Sequence, residues 1–153
     1  MTVTFGAAAQ GRSEKKERAA GILEPEKGKY RVMLSGEKVG GEDFQMVPSG
    51  AEWNARSDVK LSLPGGGAVE VSGALRLSAD AKPVRYEWSV KGEKKASGSV
   101  DFQGGTATVE LRMEGAAPFT QQFFFESARV VILDNNVYHH YAVLARLYDW
   151  SQR

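Results

Sequence analysis

From Tyr30 to Phe125 the chain changes character at every second residue, and nearly every run of this alternation ends in a short turn rich in Gly or Pro. Tyr30, Val32 and Leu34 interleave with Arg31, Met33 and Ser35 ahead of Gly36-Glu37-Lys38. A weaker run, Val39 to Val47, is interrupted by Gly40-Gly41 and closes at Pro48-Ser49-Gly50. Trp53, Ala55, Val59 and Leu61 share one parity up to Pro64, and Val69, Val71, Gly73, Leu75 and Leu77 share the next after Gly65-Gly66-Gly67. The pattern returns in Val84, Tyr86, Trp88 and Val90, then in Ala96, Gly98, Val100 and Phe102, then in Ala107, Val109, Leu111 and Met113. Pro118 opens Phe119 to Phe125, and an apolar run over 129–133 follows. A period of two with short turns dictates antiparallel hairpins, each with one wet and one dry face. Parallel crossovers need a dozen or more residues between strands, and no such gap exists, so the strand order is a meander.

Residues 1–28 read as a leader and 29–153 as one β domain, a length that suits a single core. Met1–Gln10 has small residues but no basic start, so it is either a trimmed export signal ending near Ala7-Ala8-Ala9 or an appended segment. Ser13–Ala20 has the composition of a short charged helix with no apolar face to dock. Past Leu133 the period changes to that of a helix over 135–149, with Asp134 as its N-cap. At 100° per residue, Val137, Tyr141, Leu144 and Tyr148 make one apolar stripe, and His139, Arg146 and Asp149 fall in a narrow polar sector.

About eight strands at ~4.8 Å spacing make a sheet nearly 40 Å across, whereas a helix is ~10–12 Å wide. One helix leaves much of the dry face uncovered. The sheet therefore curls around the helix, pairs with another molecule, holds an apolar ligand, or continues in further chain. Gly41, Gly73 and Gly98 on the dry face suit curling and close helix approach. The expected fold is mostly β: a curled antiparallel meander, half-barrel or barrel-like, with one C-terminal helix packed on its apolar face.

The chemistry of the chain excludes more than it offers. The formal charge of +1 argues against a surface built for nucleic acid, and no stretch approaches the ~20 apolar residues of a membrane helix. With no cysteine there is no disulfide, thiolate metal site or cysteine nucleophile. His139 and His140 are adjacent, so on a helix they point about 100° apart and do not form an i, i+4 metal pair. His139 reads as solvated; His140, between Leu144 and Leu147, reads as a core histidine needing a hydrogen-bond partner, or as part of a ligand site. Asp134-Asn135-Asn136 lacks the spacing of a calcium loop. Glu70, Glu87 and Glu110 fall on the wet parity among Arg76, Arg85 and Arg112, the setting of cross-strand ion pairs. Gly65-Gly66-Gly67 leads into a strand and is no phosphate cradle, and Ser97 and Ser99 lack a nucleophile elbow. No catalytic constellation, metal set or cofactor motif emerges. Trp53, Tyr86, Trp88 and Phe123 share the dry parity, as core or as pocket lining, and with His140 and Tyr141 they are the candidate ligand-binding residues.

Tyr30-x-Val32 followed by Gly36-Glu37-Lys38-Val39-Gly40-x-Glu42, and Pro83-Val84-Arg85-Tyr86 opening a middle strand, resemble a group of uncharacterised exported bacterial β domains. These are similar to the lipoprotein-carrier half-barrels, in which a curled antiparallel sheet wraps a helix and offers a groove to lipid. The resemblance covers roughly residues 29–150; Ile132-Leu133-Asp134-Asn135-Asn136 with His139-His140 looks like a subfamily signature. It implies a non-enzymatic protein of the periplasm or cell envelope that binds a lipid or other apolar small molecule. It carries over no functional residue, and carriers of that kind have more than one helix. The alternative is an assembly domain whose apolar face is completed by a partner chain, such as a homodimer, or by further sequence.

Overall fold

The computed structural model describes residues 22–62, 64–127 and 130–148. The expectations for Met1–Gln10 and for a helix over Ser13–Ala20 lie outside these residues. Eight strands run β1 (Glu26–Leu34), β2 (Glu37–Ser49), β3 (Glu52–Ser62), β4 (Ala68–Ser78), β5 (Pro83–Lys91), β6 (Lys95–Gln103), β7 (Thr106–Met113) and β8 (Phe119–Phe124), followed by helix α1 (His139–Leu147). The sheet order is the chain order, every neighbouring pair is antiparallel, and β1 and β8 are its two edges. The fold is the expected meander, mostly β and open rather than closed, with a single C-terminal helix. It begins ahead of residue 29: β1 starts at Glu26, and Leu23 is buried in the core.

Register carries the dry parity across the sheet. Val59 faces Val71, Ala55 faces Leu75, Trp53 faces Leu77, and Leu75 faces Tyr86. Ala55, Leu75, Leu77, Tyr86 and Met46 form the main core with Val143 of α1, with Trp53 packed against it, while Val59 and Val71 pack with Val137 in a second cluster. Each fully buried aliphatic side chain contributes ~1.5–3 kcal/mol relative to exposure. On the other face, Arg76–Glu52, Arg85–Glu87 and Lys60–Glu70 pair at 2.9, 2.9 and 3.8 Å, all solvated, which makes them minor contributors to stability.

Two glycines do what the dry face requires. A Cβ on Gly73 would lie 3.4 Å from both Tyr86 Oη and Val137 Cγ2, so its absence lets the segment before α1 sit close on the sheet. At Gly98 it would lie 2.8 Å from Trp88 Cε2, because the indole of the facing residue lies across it. Gly41 is not on the dry face. It pairs with Lys60, and Gly40, opposite Leu61 and on the parity of the buried Glu42, Phe44 and Met46, takes the dry position.

The helix departs from expectation at its start and in its rotation. Residues 134–137 form a turn, with Val137 N–H donating to Asp134 O at 3.1 Å and Asn136 N–H to Asp134 Oδ1 at 2.8 Å. Asp134 therefore caps an Asx turn, and helical structure begins at His139 instead of 135. The buried face is His139, His140 and Val143, whereas Tyr141 and Tyr148 are 47 % and 53 % exposed. The reason is a buried carboxylate of β2, Glu42, which accepts from the first backbone N–H groups of α1. Residues 130–134, an apolar run in the sequence, form no strand and instead cross over the dry face.

Candidate functional site

Two arrangements carry chemistry, one sealed and one open. The sealed one centres on Glu42, which alternates with Phe44 and Met46 on the dry parity of β2 and is 1 % exposed. A buried carboxylate needs donors, and the N-terminus of α1 supplies them. Tyr138 N–H donates to Glu42 Oε2 at 2.9 Å, His139 N–H at 3.1 Å, and His139 Nδ1 lies 2.8 Å from Oε1. The helix cap is thus a side chain 97 positions away in sequence. This bond turns His139 inward, between Phe44 at 5.7 Å and His140 at 4.7 Å between ring centroids. The expected solvated His139 is corrected accordingly: it is 2 % exposed. Burial raises the Glu42 pKa, but the hydrogen bonds and charge of His139 outweigh it and hold the carboxyl below its usual range. The buried Ser57 hydroxyl, with no hydrogen bond of good geometry, still adds to that lowering.

His140 is wholly buried. Its Nδ1 accepts from Asp134 N–H at 3.3 Å, which places the proton on Nε2, where it meets no acceptor among the described residues. Burial, with the neighbouring His139, pushes its pKa down to about 4. Tyr86, whose ring meets His140 edge-on at 5.0 Å, donates its hydroxyl proton to Asp134 Oδ2 at 2.7 Å. Burial and that bond raise the Tyr86 pKa. Glu42, His139, His140 and Tyr86 are out of reach of solvent and Asp134 is half-buried, and together they lock the helix and the 130–136 segment onto β2 and β5.

The open arrangement lies beside the lock. Helix α1 packs over the half of the sheet led by β2–β5, and the dry face toward β8 is left with a groove of about 560 Å³. Trp88, Phe102, Val109 and Phe123 form its floor, residues 130–134 one wall, and Tyr86, Asp134, Asn135 and Asn136 one end. That volume falls within the range of small-molecule sites. At the other end Phe102, Phe125 and Val130 are shared with a hollow of about 270 Å³ that reaches Lys82.

Of the six candidate residues, Tyr86, Trp88 and Phe123 meet in this groove. Trp53 instead packs against the main core near Met46 and Leu77, His140 belongs to the sealed lock, and Tyr141 points away from the core. Glu42 as the centre of the lock and Asp134 as a groove residue escaped the sequence reading. The signal for Glu42 was present, since a carboxylate sharing parity with Phe44 and Met46 must find partners inside. Among the described residues no three histidine or acidic side chains are grouped to hold a metal, and no helix is long and apolar enough to cross a membrane. No family model, curated protein or solved structure matches the chain.

Proposed function

We propose that the chain is a non-enzymatic binding protein of the cell envelope that takes a lipid or other apolar ligand into the groove between the dry face of β5–β8 and residues 130–136. One observation carries the reading. Trp88, Phe102, Val109 and Phe123 line a 560 Å³ groove that the single helix leaves uncovered. An open groove on the dry face of a sheet, with an aromatic floor and one polar end, is what a small-molecule site presents. The envelope setting rests on the resemblance to exported domains. The non-enzymatic reading rests on the sealing of Glu42, His139 and His140 away from any substrate.

The test is titration of the purified chain with the apolar fluorophore N-phenyl-1-naphthylamine, followed also through tryptophan emission. Burying ~300 Å² of apolar ligand surface at ~25 cal/mol per Å² gives a gross term near that of micromolar binding, about −8 kcal/mol, before ordering costs. Trp88→Ala weakens binding, whereas Glu87→Ala on the wet face leaves it unchanged. Absence of probe binding, or equal losses in both variants, refutes the groove.

A second reading, assembly through β8, is favoured by that strand's edge. All six residues of Phe-Thr-Gln-Gln-Phe-Phe are exposed, with Phe124 at 79 %, and none is charged. Edge strands ordinarily carry charge or Pro against pairing, as Lys27, Lys29 and Arg31 do in β1. Two copies pairing antiparallel about Gln121 keep dry face on dry face and set Phe119 against Phe123. With no native cysteine, Gln121→Cys reports this pairing as a disulfide-linked dimer; a monomer at all concentrations that never cross-links excludes it.

A further inference from the structure

We infer that the groove takes an amphiphile whose head group donates hydrogen bonds and is uncharged or cationic, a long-chain amine or alcohol rather than a fatty-acid anion, with the head seated on Asp134. The inference rests on the groove reading above and adds the chemistry of the occupant.

The lining divides into two parts. Its body is apolar, from Trp88 and Phe102 to Phe123 and Val130, and suits a hydrocarbon chain. Its one polar end holds Asp134, Asn135 and Asn136, and among the described residues Asp134 is the only charged side chain in the lining. Two of the carboxylate's lone-pair sites are used, by Tyr86 Oη–H at 2.7 Å and by Asn136 N–H at 2.8 Å. A carboxylate offers about four such sites, so acceptors remain for a ligand on this half-buried group. Tyr86 has given its one proton to Asp134 and has none for a ligand. His140 is sealed behind, with its pKa pushed down to about 4, so no cation offsets the carboxylate from that side. A head that donates gains charge-assisted hydrogen bonds here, and an anionic head meets like charge beside an apolar, weakly screening wall. Among the described residues the adjoining hollow carries one cation, Lys82, which is already paired with Asp80 at 2.6 Å.

Decylamine, decanol and decanoate share one chain and differ only in the head, so each is used at pH 7 to displace N-phenyl-1-naphthylamine from the chain. Decylamine and decanol are expected to bind at least about tenfold tighter than decanoate, the consequence of one unfavourable charge contact. Asp134→Asn keeps an acceptor for the Tyr86 hydroxyl and narrows that gap to a few-fold, while Lys82→Ala leaves it intact. Decanoate binding as tightly as the other two overturns the head-group inference and leaves the groove standing, as does a decanoate preference that Lys82→Ala abolishes. A gap unchanged in Asp134→Asn removes Asp134 from the role. If the probe binds and none of the three displaces it, the amphiphile is refuted; if the probe itself does not bind, the groove reading has failed.

Discussion

At the scale of single residues, Glu42 and His140 decide how the protein meets acid. Removing one partner of a buried pair leaves the other uncompensated, at about 3–5 kcal/mol, which is why a carboxylate on the dry parity of β2 fixes where α1 must sit. His140 adds a pH dependence whose sign follows from its neutral folded form. Its pKa falls from 6.5 in the open chain to about 4 in the fold, so the unfolded chain binds the extra proton between those values. Its contribution to stability is therefore full above about pH 6.5 and is lost as pH falls toward 4, on the order of 3 kcal/mol at most. Glu42, whose folded pKa is lowered from 4.5, adds its own loss as pH falls below about 4.5. Protonated His140 would face Tyr86, Asp134, His139 and Glu42, of which only the carboxylates welcome it. Denaturant melts between pH 7 and 4 should show a falling midpoint, and His140→Asn, which keeps an acceptor for Asp134 N–H, should flatten that fall. An equal fall in both proteins would clear His140 of the effect.

At the scale of elements, the strands were legible and the helix face was not, for the same physical reason. Alternation is a local property, and each strand shows its dry parity in its own residues, as with Val69, Val71, Leu75 and Leu77. The helix has apolar groups on most sides, so its rotation was settled by a contact beyond its own sequence, the Glu42 cap 97 residues away. The groove was half legible: Tyr86, Trp88 and Phe123 could be grouped by parity, but the 130–136 wall depends on where the chain crosses after β8. The observed rotation makes a definite expectation. Val143→Ala, at a site 3 % exposed, should cost about 1–3 kcal/mol, and Tyr141→Ala should stay within about 0.5 kcal/mol. The apolar stripe through Tyr141 and Tyr148 demands the reverse order, so chemical denaturation of the two variants separates the two orientations of the helix.

At the scale of the whole molecule, stability is distributed unevenly across one continuous sheet. Both buried clusters, the Glu42 lock and the helix sit over β2–β5, while β8 has no buried residue and β7 has only Ala107. Opening free energy should follow burial, because amides exchange through local fluctuations wherever few apolar contacts oppose them. Amides of β3 and β4 are expected to exchange most slowly, near the global limit, and those of β8 fastest, with a gradient through β6 and β7. A groove ligand binds the folded side of each of these local openings, so at about 100 times its Kd it adds ~2.7 kcal/mol to every opening that dismantles the groove. The added protection should therefore concentrate in β6–β8 and around residues 130–136, and should be small in β1 and β2. Hydrogen exchange followed by mass spectrometry, with and without decylamine, reads this directly. Uniform exchange across the eight strands would mean that the sheet opens as one unit and that the uncovered half is as firmly held as the half beneath the helix. Protection gained in β1 and β2 but not in β6–β8 would place the ligand on the wrong side of the lock.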